Sequence, residues 1–159
     1  MEIRPTRQAG MMMIEALVGI LIFSLGILAL VGLQATTVSS VADAQYRVEA
    51  VNMTNQLLSQ IWTNVDRTSE QTVRDSLQQF EHNATGNAET CAFSGDASVH
   101  PVVTSWTSLA SAHGLPGVTG ARQQVVVNTA LNNLVMITVC WQAPSEAVPH
   151  RHTVVANVN

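Results

Sequence analysis

Gly10-Met11-Met12-Met13-Ile14-Glu15, followed by the apolar run from Ala16 to Leu33, is the stretch that decides how this chain folds. Between Met11 and Leu33 the only charged residue is Glu15. A helix rises 1.5 Å per residue, so about 20 apolar residues cover the roughly 30 Å of hydrocarbon in a bilayer. Arg4 and Arg7 precede the run, and no basic residue follows it until Arg47. That asymmetry places the N-terminus on the cytoplasmic side and sends the rest of the chain across the membrane.

An ordinary secretory signal carries its apolar region ahead of the cleavage site. Here the small-residue pair Ala9-Gly10 lies before the apolar region instead. A cut after Gly10 removes a short polar leader, keeps the membrane helix, and makes Met11 the new N-terminus with Glu15 four residues on. An ionised acid on a membrane helix costs about 2.5–3.5 kcal/mol at the helix centre and less near an end. The positive end of the helix dipole offsets part of that cost. A free amine at Met11 of a neighbouring subunit would supply the remaining counter-charge.

A basic leader ending in Gly, four apolar or small residues, a Glu and then an unbroken apolar helix resemble the class III signal of type IV pilins and of type II secretion pseudopilins. The resemblance implies a prepilin peptidase cutting between Gly10 and Met11, N-methylation of Met11, and an assembly role for Glu15. Two positions depart from the common pattern. Met11 stands where Phe is usual, and Gly32 stands where many major pilins carry Pro, which points away from a major pilin.

Outward from this stretch, 11–33 reads as transmembrane and filament-core helix, and 34–65 as its amphipathic continuation. Val38, Val41, Ala44, Val48, Val51, Leu58, Ile61, Trp62 and Val65 recur at helical steps against Ser40, Asp43, Arg47, Asn52 and Gln56. Gly19 and Gly26, seven apart, share a helix face. Residues 66–159 form a globular domain, with 1–10 as unstructured leader. Within the domain Thr68 to Gln71 reads as a capping box opening a short helix to about Glu81. Asn83–Glu89 reads as loop and Cys91–Pro101 as irregular. Val103–His113 reads as a helix with Trp106, Leu109, Ala110 and His113 on one side, stopped by Gly114, Pro116 and Gly117. Strands are expected at Gln123–Leu131, Leu134–Gln142 and His152–Val158, with Asn132-Asn133 turning between the first two. The fold class is therefore α+β: a long N-terminal helix packed on a small antiparallel sheet. The order Trp106, Leu109, Leu115-Pro116-Gly117 and then strands resembles the globular domain of PilV-type minor pilins.

The formal charge is −4, and all seven basic residues are Arg. With no basic run beyond the leader, nonspecific nucleic-acid binding is not expected. Cys91 and Cys140 both follow the membrane helix. In an oxidising periplasm they are expected to form a disulfide closing a loop of roughly 50 residues; two separate buried thiols are the alternative. His150 and His152 are two apart on a strand, but a metal site needs a third ligand, and none is read beside them. No nucleophile elbow, phosphate-binding Gly loop or His-Glu-x-x-His motif is present. No enzymatic activity, cofactor or metal is expected. The resemblance implies a minor pilin of the inner membrane and then of a pilus. Its partners would be other minor pilins, the major pilin and the prepilin peptidase. The alternatives are a type II secretion pseudopilin and a membrane-anchored periplasmic adhesin.

Overall fold

The structure, a computed structural model, describes residues 9–112, 114–144 and 146–159, without the side chains of 9, 10, 35 and 36. Residues 1–8 of the expected leader, with Arg4 and Arg7, lie outside the described residues, as does His113. The chain divides into two compact units, Met1–Ala44 and Gln45–Asn159.

Helix α1 spans Ala9–Asn64 and takes in Ala9 and Gly10, two residues ahead of the expected start. From Met11 to Leu33 its surface is exposed all round and, apart from Glu15 and Ser24, apolar. It is long and apolar enough to cross a membrane. Two hydroxyls on it are satisfied within the helix, Ser24 Oγ donating to the Ile20 carbonyl at 2.7 Å and Thr37 Oγ1 to that of Leu33 at 2.9 Å. Local pairing of this kind is what a polar group needs in hydrocarbon.

The second unit is built on the end of α1. Ala50, Met53, Leu57 and Ile61 are buried at three- and four-residue steps, with Val65 just beyond the helix. This face differs from the stripe read in the sequence: Val48, Val51 and Trp62 are exposed. The core face escapes an apolar count because it includes small Ala50 and polar Thr54. Thr54 is buried at no cost to its hydroxyl, which donates to the carbonyls of Ala50 and Val51 at 3.1 and 2.9 Å.

Helix α2, Glu70–Gln78, is capped by Ser69 rather than Thr68. Ser69 Oγ accepts from the Thr72 N–H, and Thr72 Oγ1 accepts from the Ser69 N–H at 2.9 Å, a reciprocal pair shifted one residue from the expected box. Thr68 is engaged elsewhere: its hydroxyl and its N–H both donate to the Asp66 carboxylate. The Thr68 hydroxyl, then its N–H, hold the Asp66 pKa below the usual carboxylate value. Val73, Leu77 and Phe80 are buried, as their spacing requires.

The expected loop after α2 contains a short hairpin, β1 Thr85–Asn87 against β2 Ala92–Ser94. Gly86 sits in it at φ +111, where an added Cβ would lie 2.2 Å from the Ala92 carbonyl oxygen. Helix α3, Pro101–Ala112, starts two residues before expected. Proline is well suited to a first helical position because its missing N–H would be unpaired there anyway. Val103, Trp106 and Ala110 are buried, while Leu109 is exposed. Trp106 Nε1 donates to the Met53 carbonyl at 3.0 Å, tying α3 to α1.

A single turn of 3-10 helix, Gly120–Arg122, leads into the sheet of β3 Gln123–Asn128, β4 Leu134–Trp141 and β5 His150–Asn157, antiparallel and in that order. β3 stops three residues short of the expected Leu131 because the Asn128 side chain accepts from the N–H groups of Ala130 and Leu131 and bends the chain. Asn132 and Asn133 complete the turn at φ 56 and 51. Val135, Ile137, Val139 and Trp141 join the same core as the buried face of α1. On the other face Thr138 and Cys140 are fully buried as well.

Candidate assembly site

Met11 and Glu15 both lie in α1, four residues apart. That spacing puts them on one face, about 6 Å apart along the axis. Met11 is 80% exposed, and Met12, Met13, Ile14 and Leu17 around it are exposed too. Glu15 is therefore a single carboxylate in an apolar surface that none of the described residues covers. Among the described residues nothing pairs with it. Gly10 is helical at the expected cleavage point. A glycine there makes one helical turn about 1 kcal/mol easier to open than alanine would, which favours the extended form a protease needs.

Gly19, Gly26 and Gly32 show nothing within 4 Å of an added Cβ. The chain's own fold therefore does not require glycine at these positions. The notches are free for another helix.

The exposed stripe on the end of α1 continues the theme. Val48 is 60% and Trp62 39% exposed; Val51 lies between them, and Leu58 is only partly covered. These residues fall at steps of three, seven and four, a seam of the kind that packs against a neighbouring helix. The Arg67 guanidinium lies 5.5 Å from the Trp62 ring centre and shields one side of it. The sequence stripe thus combined two faces: one set of apolar residues closes this chain's core, and the other is left over.

Cys91 and Cys140 form a disulfide with a Cα–Cα distance of 6.0 Å. Cys91 lies at φ 54 just before β2, and Cys140 lies near the end of β4, so the bridge fastens the hairpin to the sheet. His150 does have an acidic partner, contrary to the sequence reading: Glu146 Oε1 lies 2.9 Å from its Nε2. The His150 ring also stacks on Trp141, centroids 5.6 Å apart. His152 lies across from Val139. The Glu146 contact and the stacking account for the orientation of His150 as a strand-end residue in a hydrogen-bonded pair.

The chain matches no protein-family model, no curated protein and no solved structure. What the structure does provide is a long apolar N-terminal helix on a small antiparallel sheet with a disulfide. That arrangement is consistent with a pilin-like fold.

Proposed function

We propose that this chain is a structural subunit of a pilus-type filament, a minor pilin of the PilV kind. It would be held in the inner membrane as a single-pass precursor, N-terminus inside, until a prepilin peptidase cuts after Gly10. Glu15 carries the reading. A lone carboxylate on a helix whose whole neighbourhood is exposed and apolar is costly unless a cation meets it. The amine of Met11, freed by cleavage and N-methylated, has the charge and sits at the right depth, one turn away on a neighbouring copy of the same helix. The open glycine notches and the surplus stripe through Val48, Val51 and Trp62 support the same reading, since both fit helices packed side by side. In the globular unit, the residues that resemble the PilV-type domain are structural: Trp106 is in the core, and the Pro116 carbonyl accepts from the Gln142 N–H at 2.8 Å. The other minor pilins and the major pilin are the partners this function requires.

The test is Glu15→Gln. Membrane insertion should be unimpaired, because the helix becomes more apolar. Incorporation into filaments should fall by a hundredfold or more, since an unpaired buried charge costs about 3–5 kcal/mol. Glu15→Asp should lie between, keeping the charge with a shorter reach. The ratio of this protein in sheared filaments to that in the membrane fraction measures the effect. Equal ratios for wild type and Glu15→Gln would remove the assembly role.

A further inference from the structure

Two histidines outside the proposed assembly site are wired in the same unusual way. His82 is buried, and its Nδ1 accepts from the backbone N–H of Ser98 at 3.1 Å. A backbone N–H can only donate, so Nδ1 carries no proton. The single proton of the neutral ring is then on Nε2, which donates to the Gly120 carbonyl at 3.0 Å. The Asn83 amide nitrogen donates to the carbonyls of Gly120 and Gln123 at 3.0 and 3.1 Å and also lies 2.9 Å from His82 Nε2, so Nε2 and the amide share the Gly120 carbonyl while the Ser98 N–H fixes Nδ1 as the acceptor.

His100 is the residue that caps α3. Its carbonyl accepts from the N–H groups of Val103 and Thr104, and its Nδ1 accepts from the N–H of Val102 at 3.3 Å. An imidazole here performs the role that Ser, Asp or Asn usually fills at a helix N-terminus. The segment between the two histidines is fixed by their neighbours. Ser98 Oγ donates to the Gln79 carbonyl at 2.9 Å, and the His100 ring lies 4.2 Å from that of buried Phe80.

We propose that His82 and His100 form an acid-labile clasp. Protonation of the two imidazoles at Nδ1 removes the acceptors of the Ser98 and Val102 N–H groups and frees 96–102, which comprises the link from β2 and the first two residues of α3, while the three-stranded sheet stays folded. A protonated ring would present N–H to N–H at both places. At His100 it would also set a cation against the positive end of α3, whose first turn has no acidic residue to offset it.

The contacts of His82 are neutral groups. The titratable residues on the segments packed around the clasp are Glu81, Asp96 and Arg122, with Glu70, Arg74 and Asp75 on α2; Arg74 pairs with Glu70 at 3.3 Å, and Asp75 accepts from Gln71 at 2.7 Å. Glu81 accepts from the Val127 N–H, Arg122 reaches the Gly117 carbonyl, and Asp96 meets Asn83 through its backbone carbonyl. Burial holds the His100 pKa below the ordinary histidine value. Its cap is therefore fully present at neutral pH and is lost as pH falls through that lowered value, so acid weakens this end of the fold. The backbone pair between His82 and Val125 does not involve the rings, so the sheet keeps its link to this region.

The experiment is amide hydrogen exchange, resolved by NMR and corrected for intrinsic rates, on the full chain in detergent micelles between pH 7 and pH 5. Protection at Ser98 and Val102 should fall roughly tenfold or more, while Val125 and Ile137 keep theirs. In the double variant His82→Asn, His100→Asn, each side-chain amide offers an acceptor near the old Nδ1 but takes up no proton, and protection at pH 5 should be retained. Unchanged protection in the wild type, or an equal loss in the double variant, would overturn the clasp. If the double variant does not fold, ring-nitrogen shifts of the wild type decide. Both rings must be Nε2-protonated at pH 7, and the Ser98 and Val102 amide signals must titrate with them; a Nδ1-protonated ring would refute the proposal.

Discussion

Replacing Cys91 and Cys140 together by alanine should cost roughly 5–6 kcal/mol. The bridge joins residues 49 apart. In the chain-entropy account, opening a loop of about 50 residues returns roughly 4 kcal/mol of freedom to the unfolded chain at 25 °C. Both cysteines are buried, so the lost sulfur atoms leave small voids worth about another 1–2 kcal/mol. Domains of this size are stable by only about 5–15 kcal/mol, so the bridge accounts for a large share. The entropic part alone lowers Tm by roughly 15–20 °C for the unit Gln45–Asn159. The effect should also be uneven. β1 and β2 are three residues each, too short to persist by themselves, so their amides should lose exchange protection before those of β4. The assay is urea unfolding of the full chain in mild detergent, followed through tryptophan fluorescence, since Trp106 and Trp141 are in the core. A loss below about 1 kcal/mol would show that noncovalent packing alone holds the hairpin to the sheet, and the loop-closure reasoning would fall.

Ser69→Ala should destabilise the fold by about 1 kcal/mol in the same assay, and Thr68→Ala by clearly less, because the cap of α2 is Ser69; the reverse order would restore the box read from the sequence. Gly86→Ala should cost about 2–3 kcal/mol, since alanine would have to adopt φ +111 and push against the Ala92 carbonyl; a neutral result would mean the hairpin opens without penalty.

The sequence carried the long helix and the sheet because both obey simple periods. Twenty-three residues broken by one charge leave little choice of structure, and the alternation in Leu134–Trp141 marks the central strand. Its failures are local. The hairpin was hidden because Thr85-Gly86-Asn87 and Ala92-Phe93-Ser94 are too short to show alternation, and Gly86 and Asn87 read as breakers. What holds them is tertiary: the disulfide, and Gln124 Nε2 donating to the Thr85 carbonyl at 3.3 Å. The start of α3 lies two residues before its first apolar residue on the core face, at Pro101, which suits a first helical position. The core face of α1 was hidden by Ala50 and Thr54. The stripe read in its place showed instead which part of the helix this chain leaves uncovered. The pairing of Glu146 with His150 shows in the sequence only as a four-residue spacing, and outside a helix that spacing carries no fixed geometry. For the assembly site, the positions of Met11 and Glu15 on one helix followed from the sequence, whereas Gly10, read as leader, is helical too. The roles of His82 and His100 did not, since they depend on backbone N–H groups brought to the rings by the fold.

The most direct measurement is the intact mass of the native protein, taken from both membranes and sheared filaments. The mature chain must begin at Met11, and its filament-borne form must carry one methyl group on the Met11 amine. A mature protein that still includes residues 1–10 would contradict it, because Glu15 would then have no freed Met11 amine to meet.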